Sequence, residues 1–298
     1  MKNKKFVGGV VLVSISAASF GFLPIFAKMA YSAGTSSYTL LFLRFLVATV
    51  FMFSLVFFRK MPLPTKDRIW KLFLLGALVY FGQSFTYFSA LNYASSGTVS
   101  LLLYLYPAIV MIGSAAIFNE KITVKKVLAL CFALAGAFVI IGAEFKANFL
   151  GVFLALLSAL LYSLYILISS AVVEEGKGIQ SSAFIMLGST VVYGIMNLFT
   201  GFKPPTEVHG YIAVGLIAIV STVIAFGTFF VGMERTGPSI ASLVSVLEPV
   251  VTVIASVIIL SEEVKLSLII GGILVMTSLF ITLIPPKPDQ KQSDYMGH

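Results

Sequence analysis

The sequence predicts an all-α integral membrane protein with ten transmembrane helices, arranged as two inverted repeats of five helices each. Three observations predict this fold: the apolar composition, the distribution of basic residues, and a sequence repeat with a fixed offset. Of the 298 residues, 59% are hydrophobic and only 11% are charged. Because soluble domains carry roughly 25% charged residues, this chain lacks the polar surface that water requires, and a bilayer is the solvent that suits it.

Ten apolar stretches account for most of the chain. A helix that crosses a bilayer needs about 20 mainly apolar residues, and such stretches lie at 6–30, 38–58, 72–91, 98–117, 126–143, 149–173, 180–200, 210–231, 239–260 and 266–284. The segments between them are short, so no separate soluble domain is expected. The basic N-terminus leaves a cleaved signal peptide as the alternative for the first stretch, but its apolar run is long enough to span. The polar tail, residues 285–298, is expected to be disordered.

The basic residues predict the orientation, because short cytoplasmic loops are enriched in lysine and arginine. Of the 20 basic residues, 15 lie at the two termini and in alternate loops, whereas the other side has only Lys146, Lys203 and Lys265. Both termini are therefore expected in the cytoplasm. The net charge of +8 is then a signal of topology, and no nucleic-acid partner is expected.

The two halves of the sequence repeat each other with an offset of 142 positions. This offset relates Pro107 to Pro249 and Glu120 to Glu262, and Gly9 near the start of the chain to Gly151. Each half holds five spans, an odd number, so the second copy must enter the membrane from the opposite side. Inverted repeats are common in secondary transporters, which bind their substrates near mid-membrane where the two halves meet.

The repeated motifs resemble those of a known family. The stretches "YLYPAIVMIGSAAIFNEK" and "VLEPVVTVIASVIILSEE", together with "LLFLRFLVATVF" in the second span, are similar to the EamA family of the drug/metabolite transporter superfamily. The resemblance covers about residues 6–284. It implies one repeat at 1–148 and another at 149–284, packed as a basket-like bundle around a central cavity. It also implies transport of amino acids, other metabolites or drugs, without fixing the substrate.

Glu248 is the foremost candidate for a functional residue. It lies about ten residues into the ninth span, or about 15 Å deep at ~1.5 Å per residue, near the middle of a ~30 Å hydrocarbon core. A carboxyl group there is costly unless it is paired, protonated or in contact with water, so it indicates function. Hydroxyl residues at helical spacing, Ser242, Ser245, Thr252 and Ser256, predict that this face lines a cavity. A helix-packing face remains the alternative.

Arg44 is the second charge inside a span. We expect it to be either the ion partner of a carboxylate or a gate on the outer side. The offset of 142 pairs Glu248 with Tyr106 and Arg44 with Met186, so each charge occurs in one repeat only. An ion-binding role needs its charge only once, whereas a structural role would favour the same residue in both repeats. The two prolines, Pro107 and Pro249, occur in both repeats and are predicted to bend their helices at equivalent hinge points.

Further candidates for the cavity wall come from the sixth and third spans. Tyr162 and Tyr165, together with two serines, form a polar and aromatic stripe on the sixth span, and Gln83 and Tyr87 form another on the third. Tyrosines often mark the membrane interface, but these lie well inside their spans. We therefore predict that they contact the substrate.

The expected function is secondary transport of small metabolites by alternating access, most plausibly export of amino acids or related amines across the cytoplasmic membrane. The partners expected are a small-molecule substrate and membrane lipid, with a proton as the candidate coupling ion. Permeation of another solute or drug, lipid flipping and a non-transporting scaffold stay open as alternatives. An enzyme is not expected, because the two histidines, His209 in a loop and His298 at the end, form no metal or nucleophile motif. No cofactor, metal or catalytic residue is predicted, and no Walker A motif indicates ATP hydrolysis.

Overall fold

The computed structural model describes residues 2–90, 93–94, 96–141, 148–260 and 266–283, and every regular element within these ranges is helical. The first half of the chain forms α1 (Lys2–Gly21), α2 (Leu23–Ser32), α3 (Ser37–Phe58), α4 (Lys66–Leu74), the π-helix π1 (Leu75–Tyr80), α5 (Phe81–Ala90), α6 (Ser96–Leu103), α7 (Tyr106–Phe118) and α8 (Val124–Ile141). The second half forms α9 (Phe149–Val172), α10 (Gly178–Thr200), α11 (Val208–Ala218), the π-helix π2 (Ile219–Ile224), α12 (Ala225–Thr236), α13 (Pro238–Ser245), α14 (Glu248–Leu260) and α15 (Leu266–Leu283).

These helices lie where the ten spans were predicted, so the all-α fold is confirmed. Within the described residues, seven helices are long and apolar enough to cross a membrane: Lys4–Ser32, Ser37–Phe58, Lys66–Ala90, Phe149–Val172, Gly178–Thr200, Val208–Thr236 and Pro238–Ile259. The fourth and tenth predicted spans contain shorter apolar helices, Tyr106–Phe118 and Ile269–Thr282. The protein is therefore a multi-pass membrane protein, and the count of ten crossings remains a prediction. The predicted tail at 285–298 and Glu262 lie outside the described residues.

The interruptions of the helices follow the sequence repeat. Pro107 is the second residue of α7, and Pro249 is the second residue of α14. Proline is tolerated in a first helical turn, because the amide it lacks has no acceptor within the helix there. Each proline therefore lies at the start of a new helix after a break, and the predicted hinge role stays a prediction. The two π-helices likewise occupy matching places in the third and eighth predicted spans.

Packing between the helices also follows the repeat. α3 packs against α10, and α8 packs against α15, which are pairs of equivalent helices. α1 packs against α12, and its equivalent α9 packs against α5. The closest crossing brings π1 and α4 onto α10, where a Cβ atom added to Gly76 would lie 2.0 Å from the carbonyl oxygen of Ile185. A Cβ atom added to Gly188 would lie 2.1 Å from that of Phe73, so both glycines are needed for this backbone contact.

Two pairs of loops join the halves. The amide of Thr206 donates to the carbonyl of Ala33 at 2.9 Å, linking the loop after α10 to the loop after α2. In the equivalent pair, the amide and hydroxyl of Thr65 both donate to Glu174 at 2.9 Å. Lys177 forms an ion pair with the same carboxylate. The Lys177 ammonium, followed by the hydrogen bonds from Thr65, lowers the pKa of Glu174 to about 2.

Candidate functional site

Glu248 and Tyr106 lie at the two helix breaks that precede the prolines. Each is the first residue of the helix that follows its break, Glu248 in α14 and Tyr106 in α7, and they are the equivalent residues of the two repeats. The Glu248 side chain is half-buried. Within the described residues no hydrogen-bond donor or ion-pair partner reaches its carboxylate, and only its backbone carbonyl is engaged, by the Thr252 hydroxyl at 3.1 Å. A carboxyl group left without a partner at this depth indicates a binding function.

Five tyrosines interact electrostatically with Glu248. They are Tyr80, Tyr87, Tyr104, Tyr106 and Tyr162. The hydroxyl of Tyr106 donates to the carbonyl of Ser242 at 3.4 Å. The hydroxyls of Tyr104 and Tyr162 form no hydrogen bond within the described residues. The Tyr104 and Tyr162 hydroxyls therefore retain hydrogen-bonding capacity.

The rings of Tyr80, Tyr104, Tyr106, Tyr162 and Tyr165 form a continuous aromatic surface, which we call the tyrosine cluster. The centroids are 4.7 Å apart for Tyr106 and Tyr162, 6.1 Å for Tyr162 and Tyr165, and 5.0 Å for Tyr80 and Tyr165. Tyr104 continues the cluster at 6.4 Å from Tyr106. These separations fall within the range of favourable aromatic pairs, so the rings stabilise one another.

Arg44 is bound to the π-helix of the second half. Its Nε donates to the Thr222 hydroxyl at 2.7 Å and one Nη donates to the Ser221 carbonyl at 3.2 Å. Its guanidinium carbon lies 4.9 Å from the ring centroid of Phe45, and the residue is only 3% exposed. Arg44 and Glu248 interact electrostatically, but no ion pair within 4.0 Å joins these two described residues. Arg44 was predicted to be either the ion partner of a carboxylate or a gate. An ion pair between Arg44 and Glu248 is not formed in this structure.

Several other predicted site residues bond to neighbouring helices or to their own. Gln83 is buried and its amide donates to the Ser158 hydroxyl at 3.2 Å, which joins α5 to α9. The hydroxyls of Tyr87 and Ser100 lie 3.3 Å apart. Ser245 is buried and donates to the carbonyl of Ala241 at 2.9 Å. These contacts favour helix packing for Gln83 and Ser245, whereas Thr252 is half-buried beside Glu248. The side chain of Ser256 lies outside the described part of the structure.

Sequence reasoning missed two parts of the site. Tyr80 lies three residues before Gln83 and seven before Tyr87, so the same stripe on the third span would have included it. The acceptors of Arg44, Ser221 and Thr222, are a polar pair inside an apolar span, a signal that the sequence does carry. The contact of Ser221 and Thr222 with Arg44 could not be predicted from the sequence, because this contact joins residues about 180 positions apart.

An apolar groove lies apart from this site. It has a volume of about 520 Å³ between α14 and α15, and most of its lining side chains are aliphatic. Its one hydroxyl, that of Thr277, donates to the carbonyl of Ile273 in its own helix at 2.8 Å. The groove therefore offers no polar contact and suits a hydrocarbon chain better than a polar solute.

The architecture and the repeat can now be compared with known proteins. Residues 7–142 and residues 149–284 each match the sequence profile of the EamA-like transporter family. The chain belongs to the EamA-like transporter family. This assignment agrees with the resemblance drawn from the motifs, and the relatives of this EamA protein carry names of transporters, which are not enzymes.

Three proteins illustrate these relationships. The chain is 28% identical to the "Uncharacterized transporter YcbK" of Bacillus subtilis (strain 168), over 91% of each protein. It is 25% identical to the "Aromatic amino acid exporter YddG" of Ancylobacter novellus, over 70% of this chain and 77% of that one. A crystal structure at 19% identity shares the fold with a TM-score of 0.79, covering 97% of this EamA chain and 99% of the other.

Within the part of the chain that the structure describes, no three His, Cys, Asp or Glu side chains come together in a way that could hold a metal ion. The groups that do converge are one carboxylate, several phenol hydroxyls and a set of aromatic faces. This combination can hold a positively charged group, because the carboxylate supplies charge and the ring faces attract cations.

Proposed function

We propose that this EamA protein is a secondary transporter that exports amino acids or related amines across the cytoplasmic membrane by alternating access. The observation that carries the proposal is the unpaired Glu248 carboxylate, which lies among tyrosines at the point where α7 and α14 begin. Glu248 binds the ammonium group of the substrate or the coupling proton. The named activity of YddG, export of aromatic amino acids, supports the proposal because YddG is a relative that matches 70% of this chain at 25% identity.

The proposed transport path runs between the two repeats, 1–148 and 149–284. The ten spans form two inverted halves around a central cavity, with both termini in the cytoplasm. Two features support this arrangement: equivalent helices pack against each other, and the helix breaks recur at equivalent positions. Because Tyr106 and Glu248 belong to opposite repeats, the affinity for a ligand bound between them would change when one repeat moves against the other.

The prolines give the proposed movement its hinge points. Pro107 and Pro249 are buried and begin α7 and α14 immediately after the breaks. At these two points the α-helical pattern gives way to i→i−3 hydrogen bonds, from the Leu105 amide to Leu102 at 3.2 Å and from the Leu247 amide to Val244 at 3.1 Å, so the angle between the half-helices can change without breaking a continuous α-helix. Alternating access would then consist of bending at one break and then at the other.

A transport screen tests the proposal. The purified protein is reconstituted into liposomes, and exchange of radiolabelled amino acids, amines and sugars is measured with and without a pH gradient. We expect exchange of at least one amine or amino acid above protein-free liposomes, and stimulation by the gradient if a proton is coupled. Exchange of sugars alone, or scrambling of labelled lipid with no solute exchange, would overturn the proposal in favour of a different permease or a flippase.

A further inference from the structure

The inverted repeat gives each helix contact an equivalent contact on the other face of the membrane. Several contacts occur in both copies. α1 packs against α13 and α14, and its equivalent α9 packs against α6 and α7. α3 with α10, and α8 with α15, are pairs of equivalent helices. A contact that occurs in only one copy therefore identifies a place where the two faces of the protein differ.

The two spans that contain the breaks meet on one side of those breaks only. α7, which follows the break in the first repeat, packs against α13, which precedes the break in the second. The equivalent pair, α14 and α6, forms no comparable packing within the described residues. In the proposed topology, α7 and α13 are the cytoplasmic halves of the fourth and ninth spans. These two spans are therefore together on the cytoplasmic side and apart on the outer side.

A cluster of apolar side chains fills the contact between α7 and α13. Met111 of α7 and Leu243 of α13 are only 6% and 3% exposed. They pack with Ala129 and Leu130 of α8, and we call these four residues the gate cluster. Met111 and Leu243 each lie five residues from the first residue of α7 or α14, or about 8 Å at ~1.5 Å per residue. The gate cluster therefore lies between Glu248 and the cytoplasm.

Polar contacts flank the gate cluster at both ends. Toward the breaks, the Tyr106 hydroxyl donates to the Ser242 carbonyl of α13 at 3.4 Å. Toward the cytoplasm, Glu120 in the loop after α7 forms an ion pair with Lys126 at 2.7 Å. A Cβ atom added to Gly237, at the start of α13, would lie 2.7 Å from a carboxylate oxygen of Glu120. Glycine at this position therefore allows the loop after α7 to approach the start of α13.

The burial of equivalent residues differs in the same direction. On the cytoplasmic side of the breaks, Val110 of α7 and Ser242 of α13 are fully buried, at 0% exposed. Their equivalents at the offset of 142 are Thr252 of α14 and Ser100 of α6, and both are half-buried. Both of these outer residues carry hydroxyl groups, which suit contact with water. Thr252 also lies one helical turn from Glu248, so a path that reaches Thr252 from the outer side also reaches the carboxylate.

We infer that this conformation is the outward-facing state of the transporter, in which water and ligand reach Glu248 from the outer side and the gate cluster closes the cytoplasmic side. This inference rests on the proposed function and adds to it the side of access and the residues of one gate. The inward-facing state is reached when α7 and α13 separate and α6 and α14 come together, because inverted repeats exchange their conformations during alternating access.

Single cysteines at the two equivalent pairs test the inference. Each is introduced into a Cys131→Ser protein, and a membrane-impermeant thiol reagent is added to right-side-out vesicles or to inverted vesicles. From the outer side, we expect Ser100→Cys and Thr252→Cys to react at least about tenfold faster than Ser242→Cys and Val110→Cys, because buried thiols are inert. The Cys131→Ser protein without a new cysteine gives the background.

Substitutions in the gate cluster test the gate itself. Met111→Ala and Leu243→Ala are each combined with Ser242→Cys, and the labelling rate is measured from the cytoplasmic side in inverted vesicles. Loss of buried packing between α7 and α13 favours their separation, so we expect this rate to rise at least about threefold. Ile112→Ala is the matched control, because Ile112 is the next residue of α7 and is 63% exposed. It should leave the rate unchanged.

The possible outcomes separate the inference from the proposed function. Equal labelling of the equivalent cysteines from the outer side, or faster labelling of Ser242→Cys and Val110→Cys, would overturn the inference; exchange of an amine or amino acid by the same protein would leave the proposed function standing. Unchanged cytoplasmic labelling in both Met111→Ala and Leu243→Ala would contradict the gate. The expected labelling by a protein that exchanges neither amines nor amino acids would instead overturn the proposed function.

Discussion

Substitution of Gly188 by alanine tests the closest helix crossing in the structure. Gly188 of α10 lies against the backbone of α4 and π1, where an added Cβ atom would be 2.1 Å from the carbonyl oxygen of Phe73 and 2.8 Å from the amide nitrogen of Ala77. Both neighbours are backbone atoms, so no side chain can rotate away. Because real Cβ atoms hardly ever approach closer than 3.0 Å, the helices would have to separate by 0.9 Å, the difference between 3.0 and 2.1 Å.

The energetic effect follows from this displacement. Overpacking of a well-packed interior costs about 1–3 kcal/mol, and alanine recovers roughly 0.5–1 kcal/mol through its higher helix propensity. The separation would also lengthen the hydrogen bond from the Ser189 hydroxyl to the Gly76 carbonyl, now 3.0 Å. We therefore expect a net cost of up to about 2.5 kcal/mol, so Gly188→Ala should lower the midpoint of thermal unfolding by up to about 10 °C, at roughly 2–4 °C per kcal/mol for a large chain.

The assay is thermal unfolding of the purified protein in detergent, followed by size-exclusion chromatography after heating. Gly215→Ala is the matched control, because the structure places no described atom within 4 Å of a Cβ added there. Gly215 lies in α11, so its substitution changes helix propensity alone and should leave stability unchanged or slightly raised. Equal stability of the two variants would refute the close crossing of α4 and α10.

Three further predictions concern topology, Arg44 and the loop carboxylate. A reporter active only in the cytoplasm should give signal when fused to the C-terminus and none when placed in the loop between α10 and α11; signal from both would refute the inverted arrangement. Thr222→Val removes one of the two acceptors of Arg44 and should destabilise the protein by about 1–3 kcal/mol. Thr228→Val, at a half-buried residue whose hydroxyl bonds only the nearby carbonyls of Ile224 and Ala225, should have less effect in the same unfolding assay. Lys177 lowers the pKa of Glu174 from its ordinary value of 4.5 to about 2. The ionised Glu174 therefore stabilises the folded protein at pH values above 4.5, and this contribution is lost as the pH falls from about 4.5 to about 2. Wild type should therefore be more stable than Glu174→Gln at pH 6, keep part of that advantage at pH 3 and lose most of it at pH 2; a difference that does not depend on pH would contradict the assignment.

The positions of the helices could be predicted because each depends on a local property of the sequence. Apolar stretches of sufficient length indicate membrane spans without reference to their neighbours. Pro107 and Pro249 indicate a bend in the helix because proline lacks the backbone N–H that the helix interior requires. The equivalence of Tyr106 with Glu248 followed from the offset of 142, and the two residues interact electrostatically in the structure. The central carboxylate was therefore identifiable before any contact was known.

The partners of the site residues could not be predicted in the same way. A stripe of polar residues has the same spacing whether it faces a cavity or a neighbouring helix, so Gln83 was expected to contact substrate although its amide bonds Ser158. Arg44 was expected to pair with a carboxylate or to gate the outer side, whereas its donors reach the hydroxyl and carbonyl of π2. The π-helices themselves depend on tertiary packing, and no residue pattern in the sequence indicated them.

The central claim is that Glu248 carries the transport function, and the most direct test compares two neutralised carboxylates. Glu248→Gln keeps the side-chain volume and removes the charge, whereas Glu175→Gln removes an exposed charge in a loop. Exchange of a labelled amine is measured in liposomes that contain equal amounts of each protein. We predict that Glu175→Gln exchanges at the wild-type rate and that Glu248→Gln falls to the rate of protein-free liposomes; wild-type exchange by Glu248→Gln would contradict the account.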